Sequence, residues 1–103
     1  MQETEKEQIL GLIESVWEAV FYLYKTRDHA AKDTMRRIIL EAVWAISNSL
    51  EEFIKIEELG IEEFLLSLNE ASPGHAAAHL EQIETQVDSI LSNITDRDDT
   101  VHL

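Results

Sequence analysis

The sequence predicts an all-α protein: a small up-and-down bundle of four helices, three long and one short, completed by dimerisation. Three observations carry that expectation. Apolar residues recur at three- and four-residue spacing, and strict apolar–polar alternation, the mark of a strand, is nowhere sustained. Helix formers dominate, against three glycines and one proline. A chain of 103 residues, 45% of them apolar, is one domain with a modest core that a second subunit would enlarge. Residues 1–94 read as that domain. Residues 95–103, with Asp96, Arg97, Asp98 and Asp99, read as a mobile acidic tail.

The first helix is expected from about Thr4 to Thr26. Ile9, Ile13, Val16, Val20 and Leu23 form one row, and Leu10, Trp17, Phe21 and Tyr24 form a second beside it. Together the rows cover about half the helix circumference, so this helix must touch more than one neighbour. Tyr22 points away from that arc. The polar stretch Lys25–Asp33 follows, with Asp28 and Asp33 as candidate N-caps. It holds no glycine or proline, which leaves one continuous helix from Glu3 to Glu58 open. A break is preferred, because so long a helix is rare in so small a domain.

The second helix is expected from Thr34 to Leu59, ended by Gly60. Its main stripe is Met35, Ile39, Ala42, Ile46, Leu50 and Phe53. Ile61–Glu70 reads as a short third helix. Ser72-Pro73 is a helix-start signal. The fourth helix, Pro73–Ile94, carries a narrow seam of Ala76, Leu80, Ile83, Val87, Ile90 and Ile94.

The back face of the second helix is unusual. Leu40 and Trp44 lie on the side that should meet solvent, among Asp33, Arg37, Asn48, Glu51 and Lys55. Five of the eight basic residues fall between Lys25 and Arg37, and eight acids lie between Glu41 and Glu70 against the single base Lys55. Positive residues at the N-terminal end and negative ones at the C-terminal end oppose the helix macrodipole. An antiparallel copy of the same helix offsets this. With a two-fold axis near Trp44, Arg37 faces Glu51, Arg36 faces Glu52, and Asp33 faces Lys55. Such reciprocal contacts are what an isologous dimer requires. Alternatively, the first or fourth helix of the same chain covers Leu40 and Trp44, or a different protein does.

The charge of −13, from 21 acids and 8 bases, repels phosphate. Nucleic acid and anionic membrane surfaces are therefore not expected as partners. No apolar run approaches a transmembrane span. The first residues lack the character of an export signal, so cytoplasmic residence is expected. There is no cysteine, which excludes disulfides and thiolate chemistry.

Three constellations are candidates for chemistry or recognition. His75 and His79 stand one helical turn apart, the spacing of a two-ligand metal or haem site. Ala76 stands where a zinc protease carries Glu, and no Glu precedes either His by three residues as in di-iron bundles. His29 with Lys32 three residues on resembles the motif of histidine phosphotransfer domains, which are four-helix bundles of similar length. That resemblance implies a phosphoryl-accepting His29. It spans about four residues, and Asp33 replaces the following Gly. Glu57, Glu58, Glu62 and Glu63, near Gly60, form an acidic patch suited to a basic partner. No catalytic motif stands out, and no cofactor is implied. The expected function is non-enzymatic: an interaction or regulatory module acting through an acidic surface and an apolar helix face.

Overall fold

The computed structural model describes the backbone of residues 2–101 and the side chains of residues 2–94. Three long helices, α1 (Glu3–Lys25), α2 (His29–Leu50) and α5 (Pro73–Val101), are joined by two short ones, α3 (Ile56–Leu59) and α4 (Ile61–Ser67). There is no strand among the described residues. No helix among them is long and apolar enough to cross a membrane.

The chain does break after α1. Thr26 is extended (φ −78°, ψ 148°), and so is Asp28 (φ −82°, ψ 117°). The Thr26 hydroxyl accepts from the Asp28 N–H at 3.2 Å. The Asp28 carboxylate then accepts from the Ala30 N–H at 3.1 Å and caps α2. Asp33, the other candidate cap, lies inside the helix.

The second helix is displaced from its expected bounds. It starts five residues earlier, at His29, because Asp28 supplies the cap. It ends at Leu50 rather than Leu59. The low-propensity run Ser47-Asn48-Ser49 and the two carboxylates of Glu51 and Glu52 crowd the negative end of the dipole there. The chain turns through Glu51–Ile54, with the Phe53 and Ile54 N–H groups both donating to the Leu50 carbonyl. Gly60 is indeed a left-handed helix terminator (φ 80°, ψ 22°), but it ends α3 and opens α4. The short third helix of the sequence reading is thus α4 alone, with α3 before it. At the C-terminal end α5 runs past Ile94 to Val101, into the stretch read as a tail. The side chains of that stretch lie outside the described residues.

α1 is the shared helix. Its first row, Ile9, Ile13, Val16, Val20 and Leu23, is buried throughout, and Ala19 joins it. α2 contributes Ile39, Ala42, Val43, Ile46 and Leu50 to the same core. α5 contributes Ala76, Leu80, Ile83, Val87, Leu91 and Ile94. Leu91 takes the seam place expected of Ile90, which is half-buried. Glu3 and Leu10 of α1 lie near Asp88 and Leu91 of α5, and Lys25 lies near Pro73, so α1 and α5 run antiparallel. From the short segment Leu59, Ile61, Phe64 and Leu68 enter the core, Phe64 with no exposure at all.

Two substitutions test this packing. Phe64→Ala should cost about 3–5 kcal/mol by emptying the site the short segment fills. Gly60→Ala should cost about 1 kcal/mol from left-handed strain alone, since a Cβ there meets nothing nearer than 3.9 Å. Urea unfolding reads both, and an unchanged midpoint for Gly60→Ala would contradict the left-handed turn.

Candidate functional site

On α2, Leu40 and Trp44 keep 41% and 42% of their surface exposed. The chain's own helices therefore leave a substantial part of both side chains open to a partner. Arg37, Asn48 and Glu51 share the exposed side of the helix, Glu51 as its C-cap in right-handed helical geometry. The other residues of the expected interface are placed differently. Arg36 is half-buried, and its guanidinium meets Asp33 of its own helix at 3.4 Å. Its Nε is buried with no hydrogen-bond partner among the described residues. Glu52 and Lys55 fall in the turn after Leu50, and Lys55 is extended at the start of α3. The Arg36–Glu52 and Asp33–Lys55 pairings assumed a helix that continued, and α2 stops short of it. Arg37 with Glu51 remains on one helix face.

Two separate depressions lie along the seam between α1 and α5 and share no lining residue. The wider one has a volume of about 680 Å³ and is apolar, lined by Trp17, Val20, Phe21, Tyr24, Pro73 and Ala77, with Lys25 as its charged residue. The narrower one, of about 410 Å³, lies towards the N-terminus of α1 and is lined mostly by polar residues, between Glu3, Lys6, Glu7 and Leu10 on one side and Asp88, Leu91 and Ser92 on the other. Trp17 spans the seam, its indole N–H donating to the Glu84 carboxylate at 3.3 Å. The Trp17 and Phe21 rings lie 6.2 Å apart. Phe21 is 69% exposed, more than any other large apolar residue described. The second row of the first helix therefore divides: Trp17 and Tyr24 are half-buried, and Leu10 and Phe21 stay open. Tyr22, as its direction predicted, is exposed, and lines a separate groove with Met35 and Ile38 of α2.

His75 and His79 stand one turn apart near the start of α5. His75 is exposed, and its Nδ1 lies 2.5 Å from a Glu70 carboxylate oxygen across the α4–α5 turn. His79, one turn on, is half-buried. Among the described residues no three of His, Cys, Asp and Glu come together as a metal would need. His29 is exposed at the first position of α2, beside its cap rather than in mid-helix. Glu57, Glu58, Glu62 and Glu63 are all exposed, and they occupy the first turns of α3 and α4, where helix dipoles favour carboxylates.

Sequence reasoning missed the cluster that closes the α4–α5 turn. The Tyr24 hydroxyl is shared between the carbonyls of Ser67 at 3.2 Å and Glu70 at 3.3 Å, tying the end of α1 to the end of α4. Burial raises the Tyr24 phenol above its ordinary value of 10.0; the Glu70 carboxylate adds to the rise and the Arg36 guanidinium opposes it. Nothing in the helical spacing of Tyr24 announces partners more than forty residues away. The only available signal was its place at the edge of a wide apolar arc.

Comparison with protein-family models, with curated proteins and with solved structures gives no match to this chain. The functional reading therefore rests on the surfaces just described.

Tyr24 makes a pH prediction. Its folded-state pKa lies above its unfolded one, so its contribution is complete below pH 10.0 and is lost as pH rises through the folded value. With Tyr22→Phe leaving Tyr24 as the sole tyrosine, the midpoint of the phenolate absorbance change should lie above pH 10.0 in the folded protein. A midpoint at or below that value would contradict the assignment. Tyr24→Phe should lower stability by about 1 kcal/mol through the lost hydrogen bond.

Proposed function

We propose that the chain is a non-enzymatic protein–protein interaction module: a bundle of three long helices and the α3–α4 segment, completed by antiparallel homodimerisation across α2. The observation that carries this reading is the Leu40–Trp44 pair, one helical turn apart and about two-fifths exposed on an otherwise charged face. Apolar side chains so placed gain roughly 25 cal/mol for each Å² they remove from water. A two-fold axis near Trp44 lays the pair against its own copy. The same operation sets Arg37 of each subunit against Glu51 of the other, a reciprocal arrangement of opposite charge.

The charge distribution supports a self-complementary face specifically. With a net charge of −13, two copies repel one another wherever their acidic surfaces meet. The N-terminal half of α2 and the segment leading into it hold most of the bases. An antiparallel arrangement is the one that brings Arg37 to Glu51, the acid beyond Trp44 that the helix retains. The acidic remainder of the surface is then free for a partner of opposite charge, in keeping with a regulatory or adaptor role in the cytoplasm.

Trp44→Glu tests the dimer. Sedimentation equilibrium of the unaltered protein should give a dimer, and the variant should dissociate at least about tenfold more readily, two like charges now meeting at the axis. Circular dichroism should show the helices intact. A variant that dimerises as tightly as the parent would refute the α2 interface, as would a parent that is monomeric throughout. Charge reversal at both Arg37 and Glu51 should restore more of the association than either reversal alone.

A further inference from the structure

We infer that the groove between α1 and α5 receives an amphipathic, basic helix from another protein. The inference rests on the interaction-module reading but not on the α2 dimer, which uses a different face.

The floor of the groove is apolar around Trp17 and Phe21, and at its narrow end Leu10 and Leu91 are its apolar residues. Leu10 and Phe21 are 42% and 69% exposed, and Trp17 lies between them in the same row. From Leu10 to Phe21 the row spans eleven residues, about 16 Å of helix. An occupant helix of about three turns matches that length, with apolar anchors repeating at three- and four-residue spacing. An extended peptide fits less well, because helical walls offer no unpaired backbone edge to hydrogen-bond it.

The rims select the charge of the occupant. Glu3 and Glu7 of α1 and Asp88 of α5 line the narrower depression, and Glu84 crosses the seam to Trp17. By helical spacing the exposed Glu14 and Glu81 continue the two rims alongside the aromatic pair. Of the two cations, Lys6 is buried and already engaged, and Lys25 lines the wider depression. The seam therefore carries an apolar row with acidic borders at its narrow end and middle, while its wide end is lined by no acid and by Lys25. Lysines or arginines flanking the apolar stripe of a partner helix meet those borders. A second copy of this chain would set one acid-bordered groove against another. Nucleic acid and anionic lipid would meet the same repulsion.

Fluorescence anisotropy tests this with a labelled synthetic helix of about fourteen residues. Its leucines repeat at three- and four-residue spacing, and lysines flank them. Two control peptides have the same composition in scrambled order, or glutamate in place of lysine. The unaltered protein should bind the first peptide at least about tenfold more tightly than either control. Phe21→Ala, which removes a mostly exposed side chain, should weaken binding about tenfold, and Glu7→Lys with Glu14→Lys should weaken it further and flatten its salt dependence. Trp44→Glu should leave the affinity within about twofold, separating this groove from the dimer face. If the scrambled peptide or the Phe21→Ala variant binds within about twofold of its parent, the attraction is diffuse charge and the inference fails. It fails equally if the peptide does not bind, or if Phe21→Ala abolishes self-association, which would assign the groove to a second copy.

Discussion

The structure depends on the width of the apolar arc on α1. A helix apolar over about half its circumference cannot bury that surface against one neighbour. α1 therefore takes the shared position, with α2 on one flank and α5 on the other. Ile9, Ile13, Val16, Val20 and Leu23 supply the side facing the common core. The edges of the arc then become the walls of two grooves, Phe21 over the α5 seam and Tyr22 over the α2 seam. The core and the apolar surface have one origin.

The α3–α4 segment follows from the same geometry. With three long helices side by side, their combined core needs a cover that the connection between α2 and α5 provides. Two short helices hinged on left-handed Gly60 carry Leu59, Ile61 and Phe64 into it. Tyr24 then fastens the far end of this cover by reaching the Ser67 and Glu70 carbonyls. Glu70 has a second role, meeting His75 at the start of α5. One carboxylate thus links the turn to the helix that follows it and adds to the rise that burial imposes on the Tyr24 phenol.

Charge organises what the core leaves outside. The acids of the chain outnumber its bases by 13, and the two apolar surfaces carry different charge patterns. The α2 face mixes both signs. The α1–α5 seam has acids at its narrow end, and Lys25 is the charged residue lining its wide end. On the reading proposed above, that difference suits the two surfaces to different partners, since repulsion excludes what apolar burial alone would accept.

Much of this was legible in the amino-acid order. Helical periodicity placed α1 within a residue of its bounds, and the buried row of α1 matches the apolar spacing position for position; in α2 Met35 is half-buried and Phe53, beyond the helix end, is exposed, and in α5 Leu91 takes the place of Ile90. Pro73 as a helix start and Gly60 as a terminator could be read because each acts on its immediate neighbours, although Gly60 ends α3 rather than α2, and Asp28 was one of two candidate caps. The end of α2 was misjudged because apolar spacing continues through Phe53 and Ile54 after backbone hydrogen bonding has turned away at Leu50. Periodicity describes one helix at a time. It could show that Trp17, Phe21, Leu40 and Trp44 were apolar residues in excess of a single face, but not which neighbour would cover each. Only the tertiary structure decided that Trp17 meets Glu84, that Tyr24 meets Glu70, and that Phe21, Leu40 and Trp44 remain open. Those contacts join residues far apart in the chain, and they depend on how the helices fit together.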